Sequence, residues 1–121
     1  MNKKRRKIID RLDTLISKIV RDRDRHCMDC GMFPGRGYVQ LTHAHIFPRD
    51  NMSVRFDLEN GITLCFPCHR YWQEHPVLFL KWMIRRMGME RYEVLERKAR
   101  TIEGFSEWRL KSLYQELKKA A

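Results

Sequence analysis

The stretch NGITLCFPCHRYWQEH, residues 60–75, decides how this chain folds. Ile62–Leu64 is a short apolar run that reads as a strand. It runs into a C-x-x-C pair, Cys65-Phe66-Pro67-Cys68, and from Pro67 onward the spacing turns helical. A proline is well tolerated in a first helical turn, and Pro76 breaks the same helix. Two thiolates at this spacing grip one side of a tetrahedral metal ion. Strand, knuckle and helix thus form one rigid corner, with His69 directly beyond the last cysteine.

The matching half lies upstream, at Cys27-Met28-Asp29-Cys30, followed by Gly31 as a knuckle turn requires. The chain has 4 cysteines, so no fifth competes for the pairing. Two such pairs close a four-thiolate zinc site with no open position, which makes the ion structural. A redox pair or unrelated thiols is the competing reading. No secretory signal follows the basic start MNKKRRKIID, so the chain is expected in the cytoplasm, where cysteines bind metal more readily than they form disulfides.

Between the pairs lies LTHAHIFPRD, residues 41–50, within a run from Tyr38 to Ile46 that reads as the first strand. Residues two apart on a strand share a side, so His43 and His45 can face one site. Asn60 follows, and then His69. Pro48–Asn51 reads as loop, and Phe56–Gly61 as turn. His26 and His75 carry no such pattern, and the plain reading is a neighbour of the zinc site and a helix-end residue.

Around this centre the chain is helical. Ile8, Ile9, Leu12, Leu15, Ile16, Ile19 and Val20 make an apolar stripe at helical period over residues 3–21. The other face is basic and begins with Lys3, Lys4, Arg5 and Arg6. It is either a solvated face or a DNA-backbone contact; a membrane-surface helix is the weaker option. PVLFLKWMIRRM, ended by Gly88, predicts a helix, as does Glu90–Arg100. Beyond a break at Glu103–Gly104, Ser106 is placed to cap a last helix from Glu107 to about Lys118. Leu78, Phe79, Trp82, Met83, Trp108, Leu110, Leu113 and Tyr114 could form a homodimer face, and core is the preferred reading.

The expected organisation is a basic amphipathic helix (1–25), a zinc-stapled ββα centre (26–75) and C-terminal helices (76–121), all in one small α+β domain. The 121 residues carry a formal charge of +10, which favours a polyanionic partner, with DNA first. No apolar run approaches the roughly 20 residues of a membrane span.

The order C-x-x-C, His, Asn, C-x-x-C-His resembles the HNH endonucleases with a zinc-stapled ββα-metal fold. More narrowly, the segment 44–88 is similar to the phage NinG/Rap recombination nucleases. The shared features here are His45, Phe47 and Arg49, then Arg55-Phe56-Asp57, Asn60, the second cysteine pair and Gly88. The resemblance covers about residues 27–100. It implies a metal-dependent DNA endonuclease, acting on branched or recombination DNA in the host-cell cytoplasm. His45 is the implied general base, Asn60 the residue that shapes the loop, and His69 the ligand of a catalytic Mg2+ or Mn2+ ion. Many HNH nucleases have an aspartate ligand immediately before the base. This chain has Ala44, so His43, Asn60, or phosphate and water would complete the sphere. In the rival register His43 is the base and Thr42 takes the ligand position. Arg49 and Arg55 would grip flanking phosphates, although Arg55 could instead pair with Asp57. The competing functional class is a non-catalytic zinc module that binds DNA or a protein partner; an RNase is a weaker option.

Overall fold

A computed structural model of the chain describes residues 2–35, 40–101 and 104–121. The expected strand start at Tyr38 and the break residue Glu103 lie outside them. Helix α1 spans Lys3–Asp24. The Asn2 side chain caps it by accepting from the Arg5 N–H at 2.8 Å. Ile9, Leu12, Ile16 and Val20 form its buried stripe, as the periodicity predicts. Arg25 takes a left-handed conformation, φ 68°, and turns the chain into the first cysteine knuckle.

Strands β1 (Leu41–His45) and β2 (Gly61–Cys65) pair antiparallel, with His43 opposite Thr63 and His45 opposite Gly61. A two-stranded sheet is marginal alone; here its open edge is closed by neighbours. The Asp24 carboxylate accepts from the Thr63 N–H at 2.9 Å, and the Met28 N–H donates to the Thr63 carbonyl at 2.9 Å. The Thr63 hydroxyl donates to the Val20 carbonyl at 3.2 Å. Arg23 adds hydrogen bonds to the Leu58 and Gly61 carbonyls. All five β2 residues are consequently buried.

The connection between the strands holds a short helix, α2 (Met52–Arg55), and a 3-10 turn, Leu58–Asn60. The turn was expected; the four-residue helix is too short for periodicity to announce it. Helices α3 (Phe66–Glu74), α4 (Pro76–Met87), α5 (Met89–Arg100) and α6 (Glu107–Ala120) follow. Ser106 caps α6 by accepting from the Arg109 N–H at 3.1 Å. Among the described residues the architecture is therefore a small α+β fold of six helices and one hairpin. No helix is long and apolar enough to cross a membrane.

The hairpin is sandwiched between two apolar clusters. On one side Ala44, Ile62 and Leu64 pack with Phe79 and Met83 of α4. On the other, the α1 stripe packs with Phe56 and Leu110, and Phe105, Leu113 and Tyr114 close around it. Phe79, Met83 and Leu110 are thus core, whereas Leu78 and Trp108 are exposed. Leu110 is fully buried and is the α6 residue at the centre of the α1 cluster. Leu110→Ala should therefore cost about 2–5 kcal/mol. The expected observation is a lower urea midpoint with an unchanged slope, measured by circular dichroism.

Candidate metal centre and nucleic-acid cleft

The first knuckle is built by backbone hydrogen bonds. The Gly31 N–H donates to the Cys27 carbonyl at 2.9 Å, and the Cys27 N–H donates to the Met32 carbonyl at 2.9 Å. Gly31 sits at φ +80°, a conformation that suits glycine. The second knuckle is the junction of β2 and α3. Trp72 of α3 ties the two together by donating its indole N–H to Asp29 at 2.9 Å.

The result is a four-sulfur cluster. The ligand atoms of Cys27, Cys30, Cys65 and Cys68 lie within 4.8 Å of one another, and the Cys30 and Cys65 sulfurs are 3.7 Å apart. A tetrahedron with bonds of about 2.3 Å has edges of about 3.8 Å, so the donor set fits zinc. Protonation tells the same story. Burial opposes the Cys27 thiolate, but backbone hydrogen bonds around Cys65, Cys30 and Asp29 bring it down to about 7. Burial pushes Cys65 and Cys68 up. Four converging sulfurs of which one ionises easily are a set awaiting a cation, which would deprotonate the rest. The four cysteines are positioned to bind a metal ion, consistent with structural zinc.

The cluster aligns β1 with α3, and His69 lies where they meet. The Thr42 hydroxyl is 2.8 Å from the Leu64 carbonyl and 2.7 Å from His69 Nδ1. A carbonyl only accepts, so the hydroxyl proton goes to Leu64. His69 Nδ1–H then donates to Thr42, and Nε2 keeps its lone pair. Thr42 acts as a rotational lock on this ring.

His43 and His45 share one side of β1, with ring centroids 4.1 Å apart. Burial, followed by the charges of His45 and Arg49, pushes His43 down to about 3. Burial and Arg49 push His45 down to about 4, with Asp13 opposing. Both rings are therefore neutral at physiological pH. His43 Nε2 is buried without a hydrogen-bond partner. It lies over Gly61, where a Cβ would fall 2.0 Å from it. This position admits no side chain.

His43, His69 and Thr42 line a cleft of about 490 Å³ along β1, between α1 and α3. Arg21, Arg49 and Arg70 also line it, and no carboxylate does. Among the described residues, no acidic side chain forms an ion pair with Arg21 or Arg49; Arg70 has a loose, exposed pair with Glu74 at 3.9 Å. Arg21, Arg70 and Phe66 were not singled out by the sequence. Their gathering depends on how α1 docks against the hairpin, and no local pattern encodes it.

Several expected site residues have other work. Asn60 is fully buried; its Oδ1 accepts from the Phe47 N–H at 2.8 Å and its Nδ2 donates to the Phe47 carbonyl at 3.1 Å. It holds the loop after β1 and does not reach an ion. Arg55 pairs with Asp13 at 2.6 Å rather than with Asp57, which instead pairs with Lys98 at 3.0 Å. That bridge is largely buried and ties α2 to α1, so Arg55 is not free to grip a phosphate. Arg5 donates to the Phe105 carbonyl, while Lys3, Lys4 and Arg6 are exposed. They sit roughly 25 Å along α1 from Arg21, at about 1.5 Å per residue. His26 bonds the Cys27 carbonyl, and His75 packs on Tyr71.

Of the expected ligands of a catalytic Mg2+ or Mn2+ ion, His69 and His43 line one cleft, whereas Asn60 spends both amide atoms on Phe47. Among the described residues, the four cysteines are the one group of three or more Cys, His, Asp or Glu side chains whose ligand atoms converge. These hard cations take oxygen ligands, and no carboxylate lines the cleft. The residues present do not fit a protein-built cage for such an ion.

The whole chain, residues 1–121, matches the family model described as NinG: Bacteriophage Lambda NinG protein. No curated protein and no solved structure gives a significant match.

Two predictions follow from this geometry. Elemental analysis of the purified chain should give one zinc per molecule, and Cys68→Ser should lose it together with cooperative unfolding. The two strand histidines set an acid response. Their folded values lie below the ordinary 6.5, so the unfolded chain takes up these protons first. The stability they contribute is complete above about pH 6.5 and is lost as pH falls towards about 4. NMR of the imidazole carbons should show His43 and His45 without a titration step between pH 8 and 5.

Proposed function

The chain belongs to the bacteriophage lambda NinG family, and from that premise we propose that it has a recombination-related role as a DNA endonuclease. The observation that carries this reading is the cleft itself. His43, His69 and three arginines, Arg21, Arg49 and Arg70, line it without a carboxylate, and His45 lies directly behind His43 with ring centroids 4.1 Å apart. Such a surface attracts a phosphodiester and places a base beside it.

In this reading His45 is the general base. Its neutral ring accepts a proton from water, the hydroxide forms a new P–O bond in line, and the P–O bond to the leaving strand oxygen breaks, that oxygen taking a proton from solvent. Arg49 already acts electrostatically on both His43 and His45. With Arg21 it meets the charge that builds on the phosphate. His69 presents Nε2 to the same space, fixed by Thr42. Asn60 keeps Phe47, and with it the loop leading to Arg49, in place. The zinc site supplies rigidity and no chemistry of its own.

One observation favours a second reading, a non-catalytic zinc module that binds DNA or a partner. Ala44 is buried in the core at the position where many HNH nucleases carry an acidic ligand. A nicking assay separates the two. Supercoiled plasmid, a four-way DNA junction and RNA are incubated with zinc-loaded protein in Mg2+ or Mn2+. The wild type should cut DNA, and His45→Ala should reduce the rate by about 10²–10⁴-fold. Undiminished cutting by His45→Ala would move the base to His43. No cutting of any substrate with either ion would leave the binding module.

A further inference from the structure

Phe66 sits inside the second cysteine pair, where it does not bind metal. The residue is 57% exposed, although Cys65 beside it is buried. It lines the same cleft as Arg21, Arg49, Arg70, His43 and His69. A large aromatic ring held open to solvent costs hydrophobic stabilisation. The core does not need it, because it belongs to neither apolar cluster.

An aromatic face beside arginines that no lining carboxylate neutralises is the chemistry that binds a single nucleic-acid strand. Arginines follow the backbone, and a base stacks on the ring. A duplex meets such a ring only after a base step is unstacked, at a few kcal/mol, whereas an unpaired strand offers its base faces directly. We infer that this cleft takes an unpaired nucleic-acid strand, with Phe66 as the stacking platform and Arg21 and Arg49 on its phosphates. The groove continues past both ends of the cleft. Arg21 and Leu41 are shared with a cavity of about 680 Å³ that reaches Arg25 and Gln40, and Arg21 and Arg49 with one of about 400 Å³ along α1. The first extension is lined by one carboxylate, Asp22, which pairs with Lys18 at 2.7 Å, and the second by two, Asp10 and Asp13, of which Asp13 is neutralised by Arg55. The arginine-rich direction therefore runs from Arg49 through Arg21 towards Arg25. The Phe66 backbone is held in place by its N–H, which donates to the Gln40 carbonyl at 3.1 Å.

The inference rests on the nucleic-acid reading above and names the strand that the site accepts. It is tested by fluorescence anisotropy of zinc-loaded protein without added divalent cation, so that cleavage plays no part. The probes are a labelled dT15, rU15 and a duplex of the same length. The wild type should bind a single strand more tightly than the duplex, and the tighter of dT15 and rU15 identifies the sugar. Phe66→Ala should weaken single-strand binding about tenfold and leave duplex binding nearly unchanged. Phe66→Trp should restore it, and Phe66→Leu should not. Arg21→Ala and Arg49→Ala should each reduce the salt slope by roughly 0.7. Unchanged zinc content and circular dichroism establish that each variant is folded. Single-strand affinity that is insensitive to Phe66→Ala, or a preference for duplex, would overturn the inference. Tight, Phe66-dependent binding without any cleavage would overturn the nuclease reading alone.

Discussion

The structure depends on four sulfur atoms held within 4.8 Å of one another. Cys27 lies just beyond α1, and Cys65 and Cys68 lie where β2 becomes α3. A metal ion here ties the first helix, the hairpin and the third helix at one point. A chain of this size has a limited core, and this one divides its core into two clusters on opposite sides of a two-stranded sheet. The first cluster holds α3 only through partly buried side chains, Trp72 and Cys68, since α3 has no fully buried residue. The cysteine frame fixes α3 against β1, and the 2.7 Å contact between Thr42 and His69 exists because of it.

Charge completes what the frame positions. Arg49 makes no ion pair among the described residues, and it disfavours protonation of both strand histidines. This is a poised arrangement. A phosphate entering the cleft brings negative charge close to these rings and to Arg49 at once. The same Coulomb rule that now depresses the histidine values then acts in reverse, raising them towards neutrality. In the proposed nuclease, a base held at about 4 is weak, and one moved upward by a bound phosphate is better matched to water. Under that proposal the arginines would both attract the polyanion and keep the histidines unprotonated until it arrives.

Much of this was legible in the sequence, for identifiable reasons. The cysteine pairs carry their geometry in their spacing. The α1 stripe, Pro76, Gly88 and Ser106 mark helices through period and caps, so α4 and α6 begin where expected. The site was legible only in part. Asn60 and Arg55 carry the right residue types, but their partners, Phe47 and Asp13, are set by tertiary contacts. Asp13 lies 42 positions from Arg55, whereas Asp57 is close by, and a reader of sequence naturally pairs neighbours. The cleft arginines were invisible for a related reason. Arg21 lies beside the buried stripe of α1 and looks like any solvated cation until the hairpin packs against that helix.

Ala44 shows how packing and chemistry compete on one strand. It alternates with His43 and His45, so it faces the opposite side, where Ile62, Leu64, Phe79 and Met83 enclose it. An aspartate there would be almost fully buried and without a partner, and either its charge or the proton needed to neutralise it would cost stability. The missing carboxylate is therefore what this core demands. With it absent, the chain supplies charge to the cleft from α1, α3 and the loop after β1. Any reaction at this edge must draw its electrostatic stabilisation from Arg21, Arg49 and Arg70, not from the strand that carries the histidines.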